Sequence, residues 1–135
     1  MPKTTLICSF DICAAHQLYN KNWDAQKNIK IFGKCANIHG HQYKLEAFLS
    51  GSIDQDTGML INGYEVERII GTFLKEKFDH KFLNEDVEFF KTHQPTAEWI
   101  AAWVYNQIKD MFPENINLDK VRLYETPELA VEYVD

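Results

Sequence analysis

The chain has 135 residues, 45% hydrophobic, 13% aromatic and 25% charged, a balance that leaves out a disordered or fibrous protein and fits a single domain over residues 1–135. Its net charge of −6 excludes a general nucleic-acid binder, which needs a basic stripe to meet phosphates. No apolar run approaches the roughly 20 residues that span a bilayer, and the start MPKTTL lacks a signal-peptide core, so the expected location is the cytoplasm.

Residues 4–15 place Leu6, Cys8, Phe10, Ile12 and Ala14 on one alternating face, which predicts a strand ending beside His16. A polar segment follows through about Asn37. Between Lys21 and Lys44 five lysines (21, 27, 30, 34, 44) face one acid, Asp24, a local balance of +4 that leaves −10 on the remainder. Such an island suits a small anion, or is simply a solvated lysine-rich loop. Residues 39–50 alternate again, with Tyr43, Leu45, Ala47 and Leu49 sharing the parity of His39 and His41. After the turn GSIDQDTG a helix is expected from Asn62, with Glu65 as its capping-box partner and Val66, Ile69, Ile70, Phe73 and Leu74 as its apolar stripe. A second helix starts near Thr96, behind Pro95, and stops before Pro113. Residues 120–125 and 129–134 read as a closing hairpin. The order strand, strand, helix, helix, strand, strand predicts an α+β fold with helices on one face of an antiparallel sheet.

His39 and His41 stand at i and i+2 on a predicted strand, so both imidazoles share a face and can converge on one ion. A lone H-x-H is weak evidence. His16, closing the first strand, becomes a third ligand if the two strand ends lie side by side. Three imidazoles with an open position form the donor set of a catalytic zinc site. Cys35, four residues before His39 and inside the basic island, is a candidate thiolate base; a small buried apolar residue is the alternative. Cys8 and Cys13 sit in an apolar strand, and an odd total of three fits a reducing compartment. Asp79 and His80 can form an acid–base pair if they face each other. Glu125 places a carboxylate in an otherwise apolar strand, either as an acceptor of paired hydrogen bonds or facing solvent.

The combination AAH at 14–16, C-x3-H-G-H at 35–41, FDHKFLN at 78–84, PTAEWIA at 95–101 and YET at 124–126 resembles the pterin synthase family. That family comprises 6-pyruvoyltetrahydropterin synthase and the bacterial 6-carboxytetrahydropterin synthase QueD. The resemblance implies the tunnelling fold: a four-stranded antiparallel sheet with two helices on one face. Three such chains close a barrel of strands, and two trimers stack into a hexamer with active sites between subunits. It implies Zn2+ on His16, His39 and His41, catalysis by Cys35 with the Asp79–His80 pair, and a pterin anchored by Glu125, with Thr96 contributing to the pocket.

The implied substrate is 7,8-dihydroneopterin triphosphate, whose anionic tail gives the lysine island a purpose. Three residues (Ala36, Asn37 and Ile38) separate Cys35 from His39, as in QueD. That favours 6-carboxytetrahydropterin synthesis, with release of triphosphate and acetaldehyde, on the route to queuosine and other 7-deazaguanines. FGKC at 32–35 and Asn62 in GMLING are closer to the 6-pyruvoyl branch, which is the alternative reading. A non-catalytic pterin- or zinc-binding module is the alternative of another class, although it would have no need of Cys35, Asp79 and His80 together.

Overall fold

The computed structural model describes residues 2–135. Two long strands form its spine, β1 (Thr4–His16) and β2 (His39–Gly51). They pair antiparallel in unbroken register from Thr4 opposite Gly51 to His16 opposite His39. β4 (Asn117–Thr126) adds to the far side of β2, and β5 (Leu129–Tyr133) adds to β4. A two-residue strand, β3 (Lys81–Phe82), runs parallel to β1 opposite Ala14 and Ala15. The sheet therefore has five strands in the order β3-β1-β2-β4-β5 and is mixed, not four-stranded and purely antiparallel. A two-residue strand carries no periodicity, which is why the sequence pattern does not reveal it.

One face of the sheet is apolar because alternation holds along each strand. Ile12 and Ala14 of β1, Tyr43, Leu45, Ala47 and Leu49 of β2, and Val121 and Leu123 of β4 are all buried. Against this face pack Val66, Ile70, Phe73 and Leu74 from one helical stretch and Ile100, Ala101, Val104 and Ile108 from the other. The first stretch runs as α2 (Gly63–Val66), a π-helical turn (Glu67–Gly71) and α3 (Thr72–Lys77). Asn62 caps it by accepting from Tyr64 N–H at 2.9 Å. Glu65 does not close a capping box; its carboxylate pairs with Arg68 instead. α5 (Ala97–Ile108) starts at Thr96, whose hydroxyl accepts from Trp99 N–H. Between them lie α4 (Leu83–Asp86) and a 3-10 turn (Glu88–Lys91).

The polar segment after β1 is not a plain loop. It holds α1 (Ala25–Phe32), capped by Asp24, and a 3-10 turn (Gly33–Ala36) that carries Cys35. The buried residue of α1 is Asn28, while Ile29 and Ile31 are exposed. Its eight residues, four of them polar, sit in a lysine-rich polar segment, so its pattern reads as a loop. None of the described helices is long and apolar enough to cross a membrane.

Candidate metal centre

The β1–β2 register makes His16 and His39 direct cross-strand neighbours and sets His41 two residues further on the same face. The ring centroids of His16 lie 4.4 Å from His39 and 5.1 Å from His41, and those of His39 and His41 are 5.0 Å apart. One ligand nitrogen from each histidine falls within 4.8 Å of the other two. Gly40 between them faces the backbone of β1: a Cβ there would lie 3.4 Å from the Ala14 carbonyl oxygen.

Backbone carbonyls fix the tautomers. His16 Nδ1–H donates to Pro95 O at 2.7 Å, and His39 Nδ1–H donates to Asn37 O at 2.7 Å. Each ring therefore turns a bare Nε2 toward the centre of the trio, the arrangement found around metal-ligating histidines. His16 is 1% exposed, and burial holds its imidazole down at about 4 despite the opposing Pro95 hydrogen bond. Burial likewise lowers His41, although Glu125 pulls it the other way. Both rings are thus neutral and ready to ligate at neutral pH.

The Nε2 atoms of His16 and His41 are buried without any hydrogen-bond partner. Orphaned acceptors of this kind are costly unless something occupies the space between them. The trio is placed to hold a metal ion. Below it, Tyr43 is fully buried, with its ring 5.4 Å from His41 and 6.0 Å from His16. Its hydroxyl is also unpartnered, and burial, reinforced by the nearby Glu125 carboxylate, pushes its pKa up.

Glu125 Oε1 stands 3.8 Å from His41 Nε2, too far for a hydrogen bond but close enough for charge to act. It reaches this place because the β4–β5 ladder is irregular between Tyr124 and Thr126, leaving Glu125 without a partner on β5. Such a bulge re-aims a side chain at the edge of a sheet.

Asp79 and His80 do face each other, for a backbone reason. His80 adopts φ 60°, left-handed and rare for a residue with a side chain, just past the end of α3. That bend sets His80 Nδ1 2.9 Å from Asp79 Oδ2. Asp79 Oδ1 also accepts from Cys13 N–H at 3.0 Å, and His80 N–H donates to Cys13 O. Burial works against ionisation of Asp79, but these hydrogen bonds outweigh it and lower its pKa. The pair is anchored at Cys13, three residues before His16, about 10 Å along the strand. Among the described residues no hydrogen bond joins the pair to Cys35 or to the three histidines.

Cys35 is half-buried in its 3-10 turn, and its carbonyl accepts from Leu18 N–H at 2.9 Å. The five lysines of the basic island are all exposed; Lys27 lies over the Trp23 ring and Lys44 over that of Tyr124. Thr96 caps α5 through its hydroxyl oxygen, at 3.3 Å from Trp99 N, which leaves its O–H free to donate. Motif reading does not single out the Pro95 and Asn37 carbonyls or Tyr43. Tyr43 shares the parity of the two strand histidines, and that is the one signal available for it.

Comparison with known proteins identifies the family. Residues 5–135 match the family described as 6-pyruvoyl tetrahydropterin synthase. The chain is 36% identical over 122 residues to the 6-pyruvoyl tetrahydrobiopterin synthase of Pongo abelii, covering 89% of this chain and 83% of that protein. It is 28% identical over 121 residues to the 6-carboxy-5,6,7,8-tetrahydropterin synthase of Haemophilus influenzae, covering 75% of this chain and 84% of that one. The solved structure of Caenorhabditis elegans 6-pyruvoyl tetrahydropterin synthase superposes with a TM-score of 0.90 at 32% identity, over 100% of this chain and 97% of that one. With the fold, the histidine trio and the sequence match in agreement, this chain is an enzyme of the lyase class and belongs to the 6-pyruvoyl tetrahydropterin synthase family.

Proposed function

We propose that the protein eliminates triphosphate from 7,8-dihydroneopterin triphosphate to form 6-pyruvoyltetrahydropterin, with Zn2+ held by His16, His39 and His41. The observation that carries this reading is the set of inward-facing Nε2 atoms, two of them buried and orphaned, beside the Glu125 carboxylate. Three imidazoles with an open position suit zinc. When bound, zinc supplies Lewis-acid polarisation of the substrate's side-chain hydroxyls, which acidifies their protons and those on the adjoining carbons.

The chain's own residues account for the rest. Glu125 accepts paired hydrogen bonds from the amidine-like edge of the pterin and orients the ring, with Thr96 donating from the start of α5. Cys35 takes a proton from the side chain, and His80, its tautomer held by Asp79, carries a proton between side chain and ring. The C–H and O–H protons of the side-chain carbon next to the ring pass to the ring carbon and ring nitrogen, leaving a ketone. Loss of the proton on the following carbon expels triphosphate as an anion toward the lysine island, and the enol so formed takes a proton at its terminal carbon to give the second ketone. Within one chain the Asp79–His80 pair is hydrogen-bonded to Cys13 and not to Cys35, which supports a site completed by a neighbouring copy in a homo-oligomer, a dimer of trimers by the family resemblance.

The 6-carboxy reading, which the three-residue spacing between Cys35 and His39 favours on sequence, takes second place. Relatives named 6-pyruvoyl tetrahydrobiopterin synthase are 31–36% identical, where those named 6-carboxy-5,6,7,8-tetrahydropterin synthase are 28–29% identical. The zinc-loaded protein incubated with 7,8-dihydroneopterin triphosphate is expected to yield triphosphate and a product with the mass of 6-pyruvoyltetrahydropterin, without acetaldehyde. A 6-carboxy product with acetaldehyde would reverse the order of the two readings. Absence of triphosphate release would end both.

A further inference from the structure

Immediately after His16 the chain leaves the sheet, yet residues 17–20 keep backbone partners as though another strand lay beside them. Asn84 Oδ1 accepts from Gln17 N–H at 2.8 Å, and Asn84 Nδ2 donates to Gln17 O at 2.8 Å. Gln94 treats Tyr19 in the same way: Oε1 accepts from its N–H at 3.1 Å and Nε2 donates to its carbonyl at 3.0 Å. Asn28, fully buried, does so for Asn20, accepting at 2.7 Å and donating at 3.0 Å. The remaining residue, Leu18, donates its N–H to the carbonyl of Cys35, and the Gln17 side chain donates to Ala36 O at 2.8 Å.

A side-chain carboxamide offers one donor and one acceptor about as far apart as those of a paired residue, so each replaces one rung of a missing ladder. The three amides come from three places: α4, the segment before α5, and α1. Together they hold the backbone of residues 17–20 in place, with His16 at one end and the Cys35 turn bonded to Leu18. An exposed connector needs none of this, because water would satisfy its backbone.

We propose that Asn84, Gln94 and Asn28 are positioning residues that fix Cys35 relative to the three histidines. The inference rests on the reading of Cys35 as a proton carrier, since proton transfer tolerates only a few tenths of an ångström of misplacement. None of the three amides hydrogen-bonds to a histidine of the trio or to the thiol. They act through the backbone of residues 17–20.

Asn84→Asp and Gln94→Glu keep size and acceptor but set a carboxylate oxygen against the carbonyl of Gln17 or Tyr19; Asn28→Asp does the same at Asn20. In the full-length, zinc-loaded protein, alkylation of each cysteine by iodoacetamide is followed by peptide mass spectrometry, beside metal content, Tm and steady-state kinetics. In variants that keep one zinc per chain and the parent's Tm within a few degrees, the Cys35 rate is expected to change by about threefold or more, while Cys8 and Cys13 keep theirs. Over the same set kcat falls by about tenfold with KM little changed. An unchanged Cys35 rate in the folded variants overturns the proposal, as does a parallel rise at all three cysteines, which marks general loosening. Should the parent protein not turn over dihydroneopterin triphosphate, the substrate reading fails, while the Cys35 rates still decide the positioning.

Discussion

His16 joins stability to pH as well as to metal. Its imidazole is held at about 4 in the folded chain, against 6.5 for an ordinary histidine. The unfolded chain therefore takes up the proton first. The stability contributed by keeping His16 neutral is fully present above pH 6.5 and is lost as pH falls toward 4. A gap of about 2.5 units corresponds to about 3 kcal/mol. The lowered pKa of His41 works in the same direction. For chelator-treated protein the urea midpoint is expected to drop between pH 7.5 and pH 5, and His16→Gln should flatten that drop. A parent midpoint constant over this range would contradict the burial argument.

Thr96 shows how the start of a helix can steady the metal centre beside it. Its hydroxyl oxygen caps α5, while the carbonyl of the preceding Pro95 holds His16. Thr96→Ala should cost about 1 kcal/mol, a Tm loss of roughly 4 °C. It should also weaken zinc retention in a chelator competition, whereas Thr96→Ser should restore both. Much of this architecture is legible in the sequence. Period-two alternation marks β1 and β2 to within a residue, parity puts His39, His41 and Tyr43 on one face, and Asn62 and Thr96 announce the helix starts. The parts that escape have physical reasons. α1 turns Asn28 inward rather than an apolar stripe, β3 is too short for a period, and the π-helical turn interrupts a pattern that still reads as one helix. Asn84 and Gln94 act across 67 and 75 residues, and such long-range amide pairing leaves no local signature. The Asp79–His80 contact depends on one left-handed residue, which nothing in the letters Asp-His requires.

At the scale of the whole molecule, the lack of any hydrogen bond between Cys35 and the Asp79–His80 pair carries the clearest consequence. If each site takes its thiol from one copy and its histidine from a neighbour, Cys35→Ala and His80→Gln should each abolish triphosphate release alone. Unfolded together in equal amounts and refolded, they should recover about a quarter of the parent rate, because that share of random interfaces pairs two intact halves. A site contained within one chain would recover nothing. Separately, β1 offers an unpaired edge over most of its length, since β3 covers only Ala14 and Ala15, and β5 offers another at the opposite end of the sheet. Long bare edges invite pairing with a further chain.

The direct pairing of His16 with His39 has a bearing on how the protein reaches its native state. Sliding β2 by one residue against β1 would turn both of its histidines to the other face of the sheet, with most of the ladder remade. Only the correct alignment assembles all three imidazoles. A divalent ion in the folding mixture therefore acts as a proofreader: it binds the properly aligned chains, leaves the slipped ones unrewarded, and draws the population toward the former by mass action.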